Sequence, residues 1–505
     1  MVAFIIALIP TLTFTWPFTV DIFVHVRAAE VFSQYGLTFV DPMINPTRGA
    51  PISSPPLFSL LLIFIGDILK INYFEVARLL QPFLAFSVVL SVSYVAKKFY
   101  GDIAGISAGF LVMSSYLFTR MVSPLPETLA IIFVPLSIYL YYKSVVTRNY
   151  TYALMSSLLF LLVITTHQAT TNLLFLVITI ITVVLGILKR DKIYLKSYAC
   201  FISIPIVTAI AGTVVLLIID PSLAGKLFTY SFALIKTSVP YNDPISNVKY
   251  IIYLGIVLVF TLFGLILAVK RRTTKDLFII IWVVVLFVMS KSYLLGVNVY
   301  TIRLLIHLLL PLSILGGLGL SYLYLNFKKT DFPSTKVRSI FLVTIFVISS
   351  LFAVVTVTSS NFQVIPQYNK QPYESSVLIV PQIAPPTNSD EELVKWFNTY
   401  GDNKSAIVSN NYATNEFLVA TTGQPIEDVK KSESIISNGF KNAQITRDSV
   451  GYFVFDKRLI YDSNSTKKVT NNGFLYFNSN YNIKSMIPSN ATLLYENQNY
   501  MVFKI

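Results

Sequence analysis

The sequence is poor in charge and almost without cysteine. Only 13% of its 505 residues are charged, about half the usual share of a soluble domain, which excludes a chain folded wholly in water. The single cysteine, Cys200, lies in an apolar run, so no disulfide framework can form within the chain. Any domain outside the membrane must be held by its core alone. The first twenty residues lack a basic n-region and a small-residue cleavage site before Asp21, which argues against a cleaved signal peptide and for an uncleaved first helix. The apolar segments have few ionisable residues in their middles, and the two halves of the chain do not resemble each other. A transporter would carry charges at the bilayer midplane and an internal repeat.

What is present is apolar length. Hydrophobic residues make up 54% of the chain and the mean hydropathy is +0.66. They come in runs long enough to cross a hydrocarbon core of ~30 Å as helices, which pair every backbone polar group locally. The runs predict about eleven membrane helices at 2–20, 76–96, 103–118, 128–142, 151–166, 171–188, 198–219, 250–269, 277–290, 304–325 and 339–358. The fold class is therefore mainly α, a polytopic membrane helix bundle with a small extracytoplasmic α/β C-terminal domain. Within the first outer loop, 21–74, the apolar stretch 57–69 is too short to span comfortably and reads as an interfacial or re-entrant helix.

The net charge of +14 does not point to nucleic acid. Residues 361–505 hold equal numbers of basic and acidic side chains, so the surplus lies entirely in the apolar part. It gathers in turns such as Lys97/Lys98, Lys143/Arg148, Lys189/Arg190 and Lys270/Arg271/Arg272. With the N-terminus in the cytoplasm these turns all fall inside, as the positive-inside rule requires. That topology puts the C-terminal region outside the membrane.

The organisation expected is a transmembrane module over 1–360, a linker over 361–388 with Pro-rich 381–386, and a soluble α/β domain over 389–505. In that domain Asp390–Tyr400 has helical spacing. Ala406–Val408, Tyr452–Phe455, Leu459–Tyr461, Phe474–Phe477 and Thr492–Tyr495 read as strands, and a final hairpin turns at Asn497–Asn499. Three sequons, at Asn403, Asn464 and Asn490, fit an outer location. A fourth, at Asn149, falls in a cytoplasmic turn and should be silent.

Ionisable residues near membrane depth mark candidate sites. Asp21 follows the first apolar run and shares a helix face with His25 at i,i+4; it suits a general base or a metal ligand, or simply a helix cap. Arg27 follows on the same segment. Asp41 before Pro42 is a turn residue by default, and Ser53-Ser54-Pro55-Pro56 fixes the entry of a helix. Glu127 opens an apolar helix, where a carboxylate also gains from the helix dipole. His167 ends another. Arg303 and His307 form an i,i+4 pair; Arg303 can hold a phosphate through two donors or snorkel to the headgroups. Taken singly each has an ordinary reading. Together Asp21, His25, Asp41, Glu127, His167, Arg303 and His307 all fall on the outer side, while the inner turns carry ordinary loop charges. Acids with an arginine fit chemistry on a phosphate-linked substrate at the outer leaflet.

The arrangement Asp21-x3-His25-x-Arg27, Gly36, Asp41-Pro42 and Pro55-Pro56-Leu57-Phe58 resembles the first outer loop of GT-C-type membrane glycosyltransferases. Pro126-Glu127-Thr128, Thr166-His167, and Arg303 before a helix with Pro311 and Gly316-Gly317 are similar to archaeal-type members. A C-terminal domain with a Trp-bearing helix and a Tyr-rich hairpin adds to this, and there is distant similarity to protein mannosyltransferases and oligosaccharyltransferase catalytic subunits. The resemblance implies an inverting transfer from a polyprenyl- or dolichyl-phosphate-linked sugar to an outer-face acceptor. Asp21 would match the loop-one catalytic acid, as base or metal ligand. Glu127 would match a second acidic position and Arg303 a basic residue near the lipid phosphate. A divalent metal, Mg or Mn, is implied as possible, with Asp21 and Glu127 the candidate ligands. Two features depart from the family. Asp21 stands alone, without an Asp-x-Asp pair. Trp396-Phe397-Asn398-Thr399-Tyr400-Gly401 does not match the Trp-Trp-Asp-Tyr-Gly type motif of oligosaccharyltransferases. Single-sugar or short-glycan transfer therefore ranks above en bloc transfer to Asn, with a transporter or flippase and a non-catalytic surface-assembly protein left as alternatives.

Overall fold

A computed structural model describes residues 1–17, 19, 21–46, 49–52, 54–219, 221, 225, 245–297, 300–326, 335–358, 387–440, 450–461, 469–471, 474–478 and 487–505. Asn464 and the Pro-rich segment 381–386 lie outside the described residues. The chain divides into two compact units: Met1–Ala7 with Pro82–Val357, and Leu8–Gln81 with Thr358–Ile505.

The first unit is a bundle of apolar helices. Among the described residues six helices are long and apolar enough to cross a membrane: Tyr73–Tyr100, Pro126–Thr147, Gln168–Lys189, Ile193–Ile219, Thr301–Asn326 and Lys336–Thr358. Helices Asp102–Met113, Tyr150–Thr166 and Thr274–Ser290 cover further expected runs but are shorter. Two expectations need correction. The run 2–20 is helical only over Val2–Thr13; Pro17 lies just beyond, and the residue before a proline is driven out of the helical region. The run 250–269 is not one straight span. It is two helices, Asn247–Leu254 and Ile256–Arg271, bent by 95°. The break is Gly255, whose φ of 54° and ψ of −134° only glycine adopts without strain.

Thr301–Asn326 is the core of this unit. Every residue from Leu304 to Ser321 is buried. Its glycines explain how neighbours approach so closely. A Cβ on Gly319 would sit 2.1 Å from the Phe260 carbonyl oxygen, and one on Gly317 would sit 2.4 Å from that of Ala104. Across the same seam, a Cβ on Gly264 would meet the Leu315 oxygen at 1.9 Å. Small residues thus let helix backbones touch, the main means of packing helices in an apolar solvent.

The second unit joins the first loop to the C-terminal domain. Helix Ile22–Tyr35 packs against helix Leu57–Leu69, which begins directly after Pro55-Pro56. The C-terminal domain has a four-stranded sheet ordered 406–409, 450–456, 500–504, 492–496. The first pair is parallel and the other two antiparallel. The predicted strands and the final hairpin appear, except that Leu459 lies in a 3-10 turn and the strand there is Ile460–Tyr461. Val408, Ile435, Ile436, Phe453, Phe455 and Phe503 form its core. Helix Asn388–Tyr400 starts with a capping box between Thr387 and Asp390, which satisfies two otherwise orphaned amides. Helices Tyr412–Thr422 and Val429–Ser437 were not predicted.

The loop is tied to the domain by backbone and side chain. Ile426 N–H donates to Met43 O at 2.9 Å, and Asn45 N–H donates to Ile426 O at 2.9 Å. Asn45 also donates from Nδ2 to Asp428 at 2.7 Å and accepts from the Asp428 amide at 3.0 Å. Phe417 packs against Trp16 and Phe23. Asn403 and Asn490 are both exposed.

Candidate functional site

The candidate residues fall into two groups, one in each unit. In the bundle, Glu127 lies in the first turn of Pro126–Thr147, where Pro126 takes a position that needs no amide donor. It is buried, at 3% exposure. Arg120, from the short helix Phe118–Val122, donates to its Oε2 at 3.3 Å. The other oxygen, Oε1, is buried with no hydrogen-bond partner among the described residues. Arg120, His167, Arg303 and His307 all lie close enough to act on the charge of Glu127. The structure therefore brings four of the sequence candidates, Glu127, His167, Arg303 and His307, within electrostatic reach of one another.

The two histidines are linked. His167 lies between helices Tyr150–Thr166 and Gln168–Lys189 and caps the second. Its Nδ1 is 2.8 Å from Thr170 Oγ1, and the Thr170 amide donates to the same nitrogen at 3.3 Å. Thr170 Oγ1 is 2.9 Å from His307 Nε2, and His307 Nδ1 is 3.0 Å from the Arg303 carbonyl oxygen. Depth is graded: Thr170 and His307 are buried, His167 and Arg120 half-buried, and Arg303 exposed. The Arg303 guanidinium lies over the Tyr300 ring, 5.3 Å from its centroid. Arg120 and Thr170 are additions the sequence reading did not make.

In the second unit, Asp21 occupies the N-cap position of helix Ile22–Tyr35 but makes no side-chain cap bond. The capping role that would have explained it is thus not exercised. His25 stands one turn on, its ring edge-on to Phe58 at 5.8 Å. Asp41 and Arg27 are both buried and paired through two bonds, Nε to Oδ2 at 2.8 Å and Nη2 to Oδ1 at 2.9 Å. Asp41 Oδ1 also accepts the Met43 amide at 2.9 Å. This closed pair ties Asp41 to helix Ile22–Tyr35. Glu30 takes the remaining face of Arg27, Nη1 to Oε2 at 3.1 Å. Burial pushes its carboxyl up to about 7, against the pull of Arg27. Glu416, on helix Tyr412–Thr422, is also pushed up to about 7 by burial and then by the charge of Asp41.

Among the described residues no group of three or more His, Cys, Asp or Glu side chains gathers.

No family model matches the sequence, and no curated protein matches it. Solved structures do. ArnT from Cupriavidus metallidurans bound to undecaprenyl phosphate has a TM-score of 0.66 at 9% identity, over 100% of this chain and 96% of that one. The archaeal oligosaccharyltransferase AglB from Archaeoglobus fulgidus, with an inhibitory peptide and a dolichol-phosphate, has a TM-score of 0.62 at 11% identity, over 90% and 68%. A further structure of that enzyme holds zinc and sulfate. The mycobacterial arabinofuranosyltransferase AftD has a TM-score of 0.54 at 13% identity; this chain covers 41% of it. The fold of this chain is that of the GT-C membrane glycosyltransferases.

Proposed function

We propose that this protein is a membrane glycosyltransferase that moves a sugar from a polyprenyl-phosphate carrier to an acceptor on the outer face. The observation that carries the reading is the pair of hydrogen-bonded sets Arg120–Glu127 and His167–Thr170–His307–Arg303, from four separate helical segments, in a fold shared with a structure seen with undecaprenyl phosphate. Cations that grade from buried to exposed suit a lipid phosphate that enters from the membrane. Arg303 at the exposed end is the phosphate-binding residue of this proposal, since a guanidinium meets phosphate oxygens through two parallel bonds. Glu127 holds Arg120 in place and balances the surrounding positive charge.

Asp21 is the base. Its carboxylate takes the proton of the acceptor hydroxyl or amide as that atom attacks the anomeric carbon. The bond from that carbon to the phosphate oxygen breaks on the opposite side, and the configuration inverts. Asp41 and Arg27 act as positioning residues that hold the loop carrying Asp21 and His25.

Single-sugar transfer ranks above en bloc transfer because Trp396–Tyr400, within helix Asn388–Tyr400, does not match the oligosaccharyltransferase motif. The test is mass spectrometry of surface glycans from cells that lack the protein, complemented with wild type or Asp21→Asn at equal membrane level. The wild type should restore one sugar mass, and Asp21→Asn should fall short by about 10²-fold or more. Full restoration by Asp21→Asn removes Asp21 from the mechanism. Restoration of a whole oligosaccharide by the wild type would favour the en bloc reading.

A further inference from the structure

The hydrogen bonds around Thr170 can be counted. The Arg303 carbonyl only accepts, so His307 Nδ1 must carry a proton. The Thr170 amide only donates, so His167 Nδ1 accepts from it. A hydroxyl has one proton to give. If Thr170 O–H donates to His167 Nδ1, then its oxygen accepts from His307 Nε2–H, and His307 is the imidazolium. That assignment satisfies both contacts of the Thr170 hydroxyl and that of His307 Nδ1, with the Thr170 amide sharing the lone pair of His167 Nδ1, and it leaves the remaining proton of His167 on Nε2. Moving each proton one step toward His167 gives a second state. Thr170 then donates to His307 Nε2 and accepts from His167 Nδ1–H, and only the weak bond from the Thr170 amide, at 3.3 Å, is given up. Two protonation states fit one geometry.

The surroundings confine the exchange to this path. Beside His307 is a small cavity lined by Val134, Leu173, Leu174, Val177, Trp282 and Leu286, none of which can accept a proton. The charged groups that act on the pair are Glu127, Arg120 and Arg303. His167 is the half-buried end and His307 the buried one.

We infer that His307, Thr170 and His167 form a proton relay that delivers a proton from the buried histidine to the leaving phosphate of a polyprenyl-phosphate donor. This rests on the transferase reading above. When the bond from the anomeric carbon to the phosphate oxygen breaks, its electron pair stays on that oxygen. The diester becomes a monoester, with one more negative charge. His167 Nε2–H gives its proton to that oxygen. Thr170 O–H passes its proton to His167 Nδ1, and His307 Nε2–H passes its own to Thr170. His307 ends neutral, still bonded to the Arg303 carbonyl. His167 is the catalytic residue of the relay, and Thr170 and His307 act through it.

The test uses the full chain in lipid nanodiscs, labelled with 15N-histidine. The chain has three histidines, so His25→Gln simplifies the spectrum to the pair. In the wild type, ring signals of His167 and His307 should titrate together with one shared midpoint. Thr170→Ser should keep that behaviour, and Thr170→Val should split it into two independent titrations. Independent titration in the wild type overturns the relay, even if Thr170→Val proves too unstable to study. Undecaprenyl phosphate is the probe for the target. It should move the His167 ring signals more than those of His307. A shared titration with no response to this lipid overturns delivery to phosphate, while the transferase reading stands or falls on the Asp21→Asn complementation above. In cells, Thr170→Ser should restore the glycan, and Thr170→Val should lower transfer by about 10²-fold.

Discussion

Arg27 shows how one side chain can be overcommitted. Two of its nitrogens are spent on Asp41, so the third has little power to keep Glu30 ionised. Burial wins, and the Glu30 carboxyl is pushed up to about 7 from an ordinary 4.5. A carboxyl raised by folding is protonated more readily in the native state than in the unfolded one. Its stabilising contribution is complete below pH 4.5 and is lost as the pH rises through about 7. Glu416 acts in the same direction. Glu30→Gln should therefore raise the thermal stability at pH 8 by on the order of 1 kcal/mol, once partial solvent screening is allowed for. It should also flatten the fall in stability between pH 5 and 7, read by thermal unfolding in detergent. Lower stability of the variant at pH 8 would mean that the bond to Arg27 outweighs burial. None of this was legible in the sequence, where Asp41 beside Pro42 looked like a turn residue and Glu30 drew no notice. Glu127, His167, Arg303 and His307 were found because counting turns put them on one side. Thr170 escaped because a hydroxyl in an apolar helix carries no signal until its partners are known.

Helices carry a different kind of information. Hydropathy located every apolar run on a helix, because that property is local. It did not foresee the 95° bend at Gly255, since one glycine inside an apolar run changes the hydropathy little. Nor did it rank the helices by burial. Thr301–Asn326 owes its central place to glycines that let two neighbours press against its backbone. Gly264→Ala puts a methyl group 1.9 Å from a carbonyl oxygen that belongs to a packed helix, so the helices must separate. The expected cost is about 1–3 kcal/mol, seen as a lower unfolding temperature. Gly212→Ala is the matched control, because a Cβ there meets nothing within 4 Å. It should be neutral, or stabilising by up to about 1 kcal/mol through helix propensity. Equal effects of the two substitutions would show that helix propensity, and not the close seam, governs the first.

For the whole molecule, the lone cysteine gives a direct test of sidedness. In a Cys200→Ala background, Asn403→Cys should react with a membrane-impermeant maleimide applied to intact cells. Arg190→Cys, in a basic turn, should react only after the cells are opened. The opposite pattern would invert the proposed topology. The association of the first loop with the C-terminal domain has a further consequence, one of timing. Met43 and Asn45 are hydrogen-bonded to Ile426, and Asn45 to Asp428 as well. At a synthesis rate of about 5–20 residues per second, the loop leaves the ribosome roughly 20–80 s before its partner exists. During that interval the segment with Asp21 and His25 lacks the surface that orders it. The nascent protein, even with Arg303 in place, should thus transfer no sugar until residues 387–505 have been made, which keeps an unfinished chain from consuming the carrier-linked sugar.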